Sequence, residues 1–243
     1  NAMSIIGSNQ NFILTKLKRH NKCLFVEGDD LDYLDSLYKL CNEPDSKSLK
    51  DIACCQLNGK NNYKECFGAA KIFRTDSDGI FKTYCILDKD YNKYYNNEIK
   101  QEAEKTNIVL QILDKLEIEN YLIVPRTLAG IINTDEDFIK ENIVRLAEDL
   151  KGLTFDRILK EKIDEYRKIK ANLDISTISK ETREYVDENW NDYDKIVSIV
   201  SGKELKSKIF DWVKTEFNIQ LTDKIILSKM EKDDIPYELS QFL

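Results

Sequence analysis

Three acidic clusters sit beside apolar runs in this chain. Glu27-Gly28-Asp29-Asp30, with Asp32 close behind, follows Leu24-Phe25-Val26; Asp88-Lys89-Asp90 follows Cys85-Ile86-Leu87; and Glu117-Ile118-Glu119 precedes Asn120-Tyr121-Leu122. Ionised carboxylates brought together repel one another unless a hard cation neutralises them, and Mg²⁺ or Mn²⁺ with oxygen ligands is the usual partner of such a set. Glu27 ends an apolar run just before a glycine, where the backbone can turn sharply and a metal or phosphate can approach closely. Asp30 and Asp32 cannot both face one site from a helix start, so one of them is expected to serve as a first-turn helix acid. Asp88 and Asp90, two residues apart, would share one side of an extended backbone, and Glu117 and Glu119 repeat that spacing. A DxD alone is a weak signal, because sugar-nucleotide transferases and aspartate-nucleophile phosphatases carry one too. Asn92 stands where the phosphatase pattern wants Thr or Val, which disfavours a nucleophilic aspartate.

The elements that must position these acids follow from periodicity. Lys22 to Glu27 reads as a strand and Leu31, Leu34, Leu37 and Tyr38 as a helix after it. Ile52 to Leu57 reads as a strand, Tyr63 to Phe73 as a helix, Thr83 to Leu87 as a buried strand, Tyr94 to Lys105 as a helix and Ile108 to Leu113 as a strand. A further short strand is expected over Tyr121 to Val124. Strand-helix alternation argues for a parallel sheet, and in such a sheet the loops after the carboxyl ends of the strands converge on one crevice. From about Thr134 the pattern becomes helical through Phe138, Ile139, Ile143, Leu146 and Leu150, then through Ile158, Ile163, Tyr166 and Ile169 before Leu173. Leu205, Ile209, Phe210 and Val213 mark a helix after Ser201-Gly202-Lys203, and Thr222 is expected to cap a last helix running to Met230. The resulting division is 1–21 as lead-in, with Asn1-Ala2 resembling a tag-cleavage remnant, then 22–133 as an α/β core, 134–200 as a helical insertion and 201–243 as a carboxy-terminal helical part.

Composition excludes several classes. With 243 residues, 42% of them hydrophobic, the chain can bury one large core or a core with a helical subdomain; a formal net charge of −7 gives no global attraction for nucleic acid but permits a local basic face. Lys151, Arg157, Lys160, Lys162, Arg167, Lys168 and Lys170 are such a face, although the interleaved Asp156, Glu161, Asp164 and Glu165 suit a solvated surface laced with ion pairs better than a phosphate-tracking one. The six cysteines form no CxxC or Cys/His pattern and read as reduced, mostly buried thiols. The single histidine, His20, argues against Ser-His-Asp and Cys-His hydrolases. Gly202-Lys203 lacks the earlier glycines of a phosphate-binding loop, so no ATPase is visible. No apolar run nears the length of a membrane span and no signal peptide opens the chain, so the expected location is the cytoplasm.

Phe25-Val26-Glu27-Gly28, Leu87-Asp88-Lys89-Asp90, Glu117-Ile118-Glu119-Asn120-Tyr121-Leu122 and Gly202-Lys203-Glu204 occur in an order that resembles the TOPRIM domain of the OLD (overcoming lysogenization defect) family nucleases. The resemblance covers most of the chain from Lys22 onward. It implies a Rossmann-like parallel sheet flanked by helices and metal-dependent nicking or cleavage of DNA with two Mg²⁺ or Mn²⁺ ions per site. By the same resemblance Glu27 and Asp88 would hold one ion, Asp90, Glu117 and Glu119 would share or hold the second, and Lys203 would support the transition state, so that Glu27, Asp88 and Lys203 form the catalytic set. TOPRIM patterns most often carry an aspartate four residues after the glutamate; that position is Leu31 here, so Asp30 or Asp32 must substitute.

The leading expectation is therefore a Mg²⁺- or Mn²⁺-dependent DNA endonuclease domain of OLD type in phage defence or DNA processing. DNA and an ATPase domain or subunit are its expected partners, with self-association left open. The alternative is a catalytically degenerate TOPRIM module, regulatory or interacting, that acts with a partner ATPase. A phosphatase or nucleotidyl-transfer enzyme for small phosphorylated substrates fits the same acids.

Overall fold

A computed structural model describes residues 13, 15–42, 48–57, 59, 62–76, 80–91, 93–168 and 174–243. The expected tag remnant, Asn92, Ile169, Lys170 and Leu173 fall outside them. The chain divides into two compact units, one of Asn1–Asp88, Asn96–Ile112 and Ile235–Leu243, the other of Lys89–Tyr95 and Leu113–Asp234.

The first unit is α/β and holds a four-stranded, all-parallel sheet. Its strands are β1 (Lys22–Glu27), β2 (Ala53–Leu57), β3 (Lys82–Leu87) and β4 (Val109–Ile112), arranged in the order β2-β1-β3-β4. Burial follows position in the sheet. Residues 23–26 of central β1 are buried without alternation, as expected for a parallel strand covered on both faces, whereas the edge strands β2 and β4 are partly open. Helix α1 (Leu31–Cys41) links β1 to β2, α2 (Tyr63–Asp76) links β2 to β3, and α3 (Lys93–Thr106) links β3 to β4. The chain moves one way from β1 to β2 and the other way to β3 and β4. Right-handed crossovers therefore set α1 on one face and α2 and α3 on the other. Leu34 and Leu37 of α1 and Ile99 and Ala103 of α3 are buried accordingly. The final helix of the chain, Tyr237–Phe242, brings Phe242 edge-on to Tyr84 at 6.2 Å between ring centroids.

Asp35 of α1 is 4% exposed and accepts hydrogen bonds from Ser48 Oγ (2.6 Å), the Leu49 N–H (2.8 Å) and Lys39 Nζ (2.7 Å). Burial pushes its pKa up, but the bonds from Lys39, Ser48 and Leu49 outweigh this and hold it below its ordinary value of 3.8. A depressed folded-state pKa means that the unfolded chain takes the proton first as pH falls. The stabilisation is thus complete above pH 3.8 and drains away as pH drops through the folded-state value. Asp35→Asn is expected to cost about 1.5–3 kcal/mol at neutral pH and to flatten the acid limb of stability, as read by urea unfolding between pH 2.5 and 7.

The second unit is helical. After a 3₁₀ turn (Ile118–Leu122) come α4 (Pro125–Ile132), α5 (Glu136–Glu148), α6 (Lys151–Lys168), α7 (Ile175–Asn189), α8 (Tyr193–Ile199), α9 (Gly202–Phe217) and α10 (Asp223–Leu227). Ile139, Ile143, Ile178, Ile196, Leu205 and Val213 form its centre. Tyr121 to Val124 is not a strand: Tyr121 and Leu122 end the 3₁₀ turn, and the Tyr121 hydroxyl accepts the backbone N–H groups of Asp114 and Lys115 at 3.0 and 3.3 Å. A short apolar run carries no period that separates a strand from a buried turn. Thr222 does cap α10, accepting the Ile225 N–H, but that helix stops at Leu227 rather than Met230.

The cations of α6 are largely engaged within this unit. Arg157 grips Glu204 in a two-bond fork (2.9 and 2.7 Å), Lys151 meets Asp187 at 2.9 Å and Arg167 meets Asp164 at 3.2 Å. Lys162 and Lys168 lie over the rings of Tyr185 and Tyr95. No described helix is long and apolar enough to cross a membrane, and none of the six cysteines is in a disulfide.

Candidate functional site

In the first unit the reversal of strand order falls between β1 and β3, and an open parallel sheet forms its ligand crevice outside the carboxyl ends of the strands at such a point. Two of the expected site residues stand there. Glu27 is the last residue of β1 and Asp88 directly follows β3; both are half-buried, and the Asp88 N–H donates to Glu27 Oε2 at 3.2 Å. Gly28 turns the chain out of β1 at φ +60° while its N–H donates to the Leu57 carbonyl at 3.0 Å, so this strand end is tied to β2 as well. A Cβ at Gly28 would meet nothing within 4 Å, so its constraint is conformational rather than steric.

Two other acids of the first cluster have partners away from this pair, and a third caps a helix. Asp29 accepts from the Gln56 side-chain amide at 3.0 Å. Asp32, in the first turn of α1, pairs with Lys50 at 2.7 Å and is the helix acid of the pair. Asp30 is the N-cap residue of α1 and lends its carbonyl to the Leu34 N–H.

In the second unit Asp90 has φ +51°, so the backbone after β3 is left-handed there and the side-sharing expected of an extended DxD does not apply. Glu117 precedes the 3₁₀ turn, and its Oε2 accepts the Ser201 hydroxyl (3.1 Å) and the Lys203 N–H (3.0 Å). It thereby places a carboxylate on the free donors at the amino terminus of α9, the end where a helix favours negative charge. Glu119 behaves differently. It is 6% exposed, its Oε1 lies 3.9 Å from Lys203 Nζ, and its buried Oε2 has no hydrogen-bond partner among the described residues. Two acids with equal spacing logic thus have unequal roles, one a cap and the other a buried acceptor beside a lysine.

Beside Glu117 lies a cavity of about 340 Å³ lined also by Asp90, Arg157, Lys160, Lys203 and Glu204, among others. Tyr91, on its wall, donates its hydroxyl to the Ile199 carbonyl, and burial raises the pKa of that phenol. Lys115, whose pKa burial lowers against the pull of Asp194, donates to the Asn120 carbonyl at 3.2 Å and lies over the Tyr121 ring. Arg157, Ser201 and Glu204 were not among the residues singled out as site candidates from the sequence. Arg157 comes from α6, whereas Ser201 and Glu204 stand at the start of α9, some fifty residues further along the chain.

Whether these residues suit a divalent ion is a question of donor number and chemistry. Among the described residues no group of three or more His, Cys, Asp or Glu side chains could hold a metal ion. Glu27 and Asp88 are a pair of hard oxygen donors of the right kind for one Mg²⁺ or Mn²⁺ completed by water, since Mg²⁺ is commonly held by one or two carboxylates and keeps several waters. Asp32 and Glu117, expected as ligands, are engaged with Lys50 and with the start of α9. Set beside known proteins, the chain matches no family profile, no curated protein and no solved structure.

Proposed function

We propose that this chain is a Mg²⁺- or Mn²⁺-dependent DNA-nicking module of the TOPRIM kind, resembling that of the OLD nucleases. The observation that carries the reading is the meeting of Glu27 and Asp88 at the carboxyl ends of adjacent parallel strands, at the reversal of strand order. Glu27 and Asp88 would hold one ion, and a bound ion there would supply charge neutralisation and an acidified water. Within the second unit Lys203, beside Glu119, is a cation suited to a phosphate's developing charge. DNA is the proposed substrate, and an ATPase domain or subunit the proposed partner.

Incubation of supercoiled plasmid with Mn²⁺, Mg²⁺ or EDTA tests this. Nicked and linear products with metal only are expected, and intact plasmid under every metal would sink it. Glu119→Gln is expected to lower nicking at least tenfold with little change in melting temperature. Glu117→Gln should instead lower thermal stability, by about 1 kcal/mol for the weakened helix cap.

The absence of a three-acid group among the described residues favours a second reading, a degenerate TOPRIM module that binds a partner without cleaving. A folded chain that takes up no metal and nicks nothing would support it.

A further inference from the structure

Asn120 is fully buried at the centre of the 3₁₀ turn, and its amide makes three hydrogen bonds. Nδ2 donates to the Val197 carbonyl at 2.8 Å and to the Val200 carbonyl at 2.9 Å, while Oδ1 accepts the Glu117 N–H at 2.9 Å. These bonds tie the turn to the segment that leads into α9. Gly202, the first residue of α9, presses on the same amide: a Cβ built there would stand 2.6 Å from both Asn120 N and Asn120 Oδ1. Any side chain larger than hydrogen would drive helix and turn apart, because the atoms it meets include rigid backbone. Ser201 closes the joint by donating to Glu117.

The joint has a chemical consequence. Glu119 immediately precedes Asn120 and Lys203 immediately follows Gly202, so the two polar groups that face each other at 3.9 Å are the chain neighbours of the two residues in closest approach. We infer that Asn120, Ser201 and Gly202 are positioning residues that set Lys203 against Glu119 for phosphodiester cleavage. They touch no reacting atom; they fix where the first turn of α9 begins. The inference rests on the nuclease reading. It goes beyond it by assigning the placement of Lys203 to a buried amide and a glycine contact.

Gly202→Ala keeps every charged group and shifts only the joint. With plasmid as substrate, kcat is expected to fall roughly 10- to 100-fold with KM unchanged, the scale of a displacement near 1 Å. In a Lys203→Ala background the same substitution should lower kcat by a clearly smaller factor, because one of the two groups it displaces is already gone. Ser201→Ala, which removes one hydrogen bond at the same joint, is the milder variant should Gly202→Ala fail to fold, and the same lack of additivity is expected. Equal losses in the native and Lys203→Ala backgrounds, with a nicking wild type, would overturn the positioning role alone. A wild type that nicks nothing would overturn the nuclease reading and this inference with it.

Discussion

Asp88→Ala is expected to lower metal-dependent plasmid nicking by roughly a thousandfold, equivalent to the several kcal/mol that a bound cation contributes to stabilising transition-state charge. The residue sits just past β3, half-buried, at the carboxyl end of the sheet, where its side chain supports no strand pairing. Its main-chain N–H bond to Glu27 survives the substitution, so the melting temperature should hardly move. Glu27→Gln is the matching variant on the other strand: it keeps an oxygen that can accept that N–H and removes the charge. A comparable loss from Glu27→Gln, with both variants folded, would place the chemistry at the strand-order reversal. Retained nicking in both would remove the site from this crevice.

The largest stability effect should come from Asn120→Ala. Three hydrogen bonds disappear, leaving the buried carbonyls of Val197 and Val200 and the part-buried N–H of Glu117 without them. Each buried polar group deprived of its partner costs about 1–3 kcal/mol, so the two carbonyls alone amount to ~2–6 kcal/mol, a large part of the stability of a typical domain. Urea unfolding followed by tryptophan fluorescence reads this directly, because Trp190 and Trp212 both lie in the helical unit. A midpoint within experimental error of wild type would contradict the role assigned to this amide.

What sequence alone could reveal divides along physical lines. The central strands were legible because residues 23–26 and 85–87 are buried without alternation, and continuous apolar runs before Glu27 and Asp88 announce that. The helices of the first unit were legible from their apolar spacing. The stretch around Glu117 was not, because five residues of 3₁₀ turn, buried throughout, carry neither a two-residue nor a 3.6-residue period. The two units are also assembled from stretches separated in sequence, with Lys89–Tyr95 in one and Asn96–Ile112 in the other, a border that falls inside a single helix, Lys93–Thr106.

At the site, residue type was visible in the sequence and the partner of each residue was not. Glu117 and Glu119 have the same spacing logic, yet the amino terminus of α9, some eighty residues away in sequence, captures one and leaves an oxygen of the other buried. Asp32 reads as a ligand until Lys50 takes its carboxylate. Gly202 looked like part of an incomplete phosphate loop. Its packing against Asn120, which excludes a side chain, could be seen only in three dimensions.

The most direct test of the central claim, that Glu27 and Asp88 together hold a catalytic divalent ion, is a Mn²⁺ binding isotherm for the intact chain and for the Glu27→Gln/Asp88→Asn double variant. The account predicts a saturable site in the wild type whose affinity falls at least tenfold in the variant while its circular dichroism and melting temperature are retained. Equal Mn²⁺ binding by the two proteins, or none by the folded wild type, would contradict it.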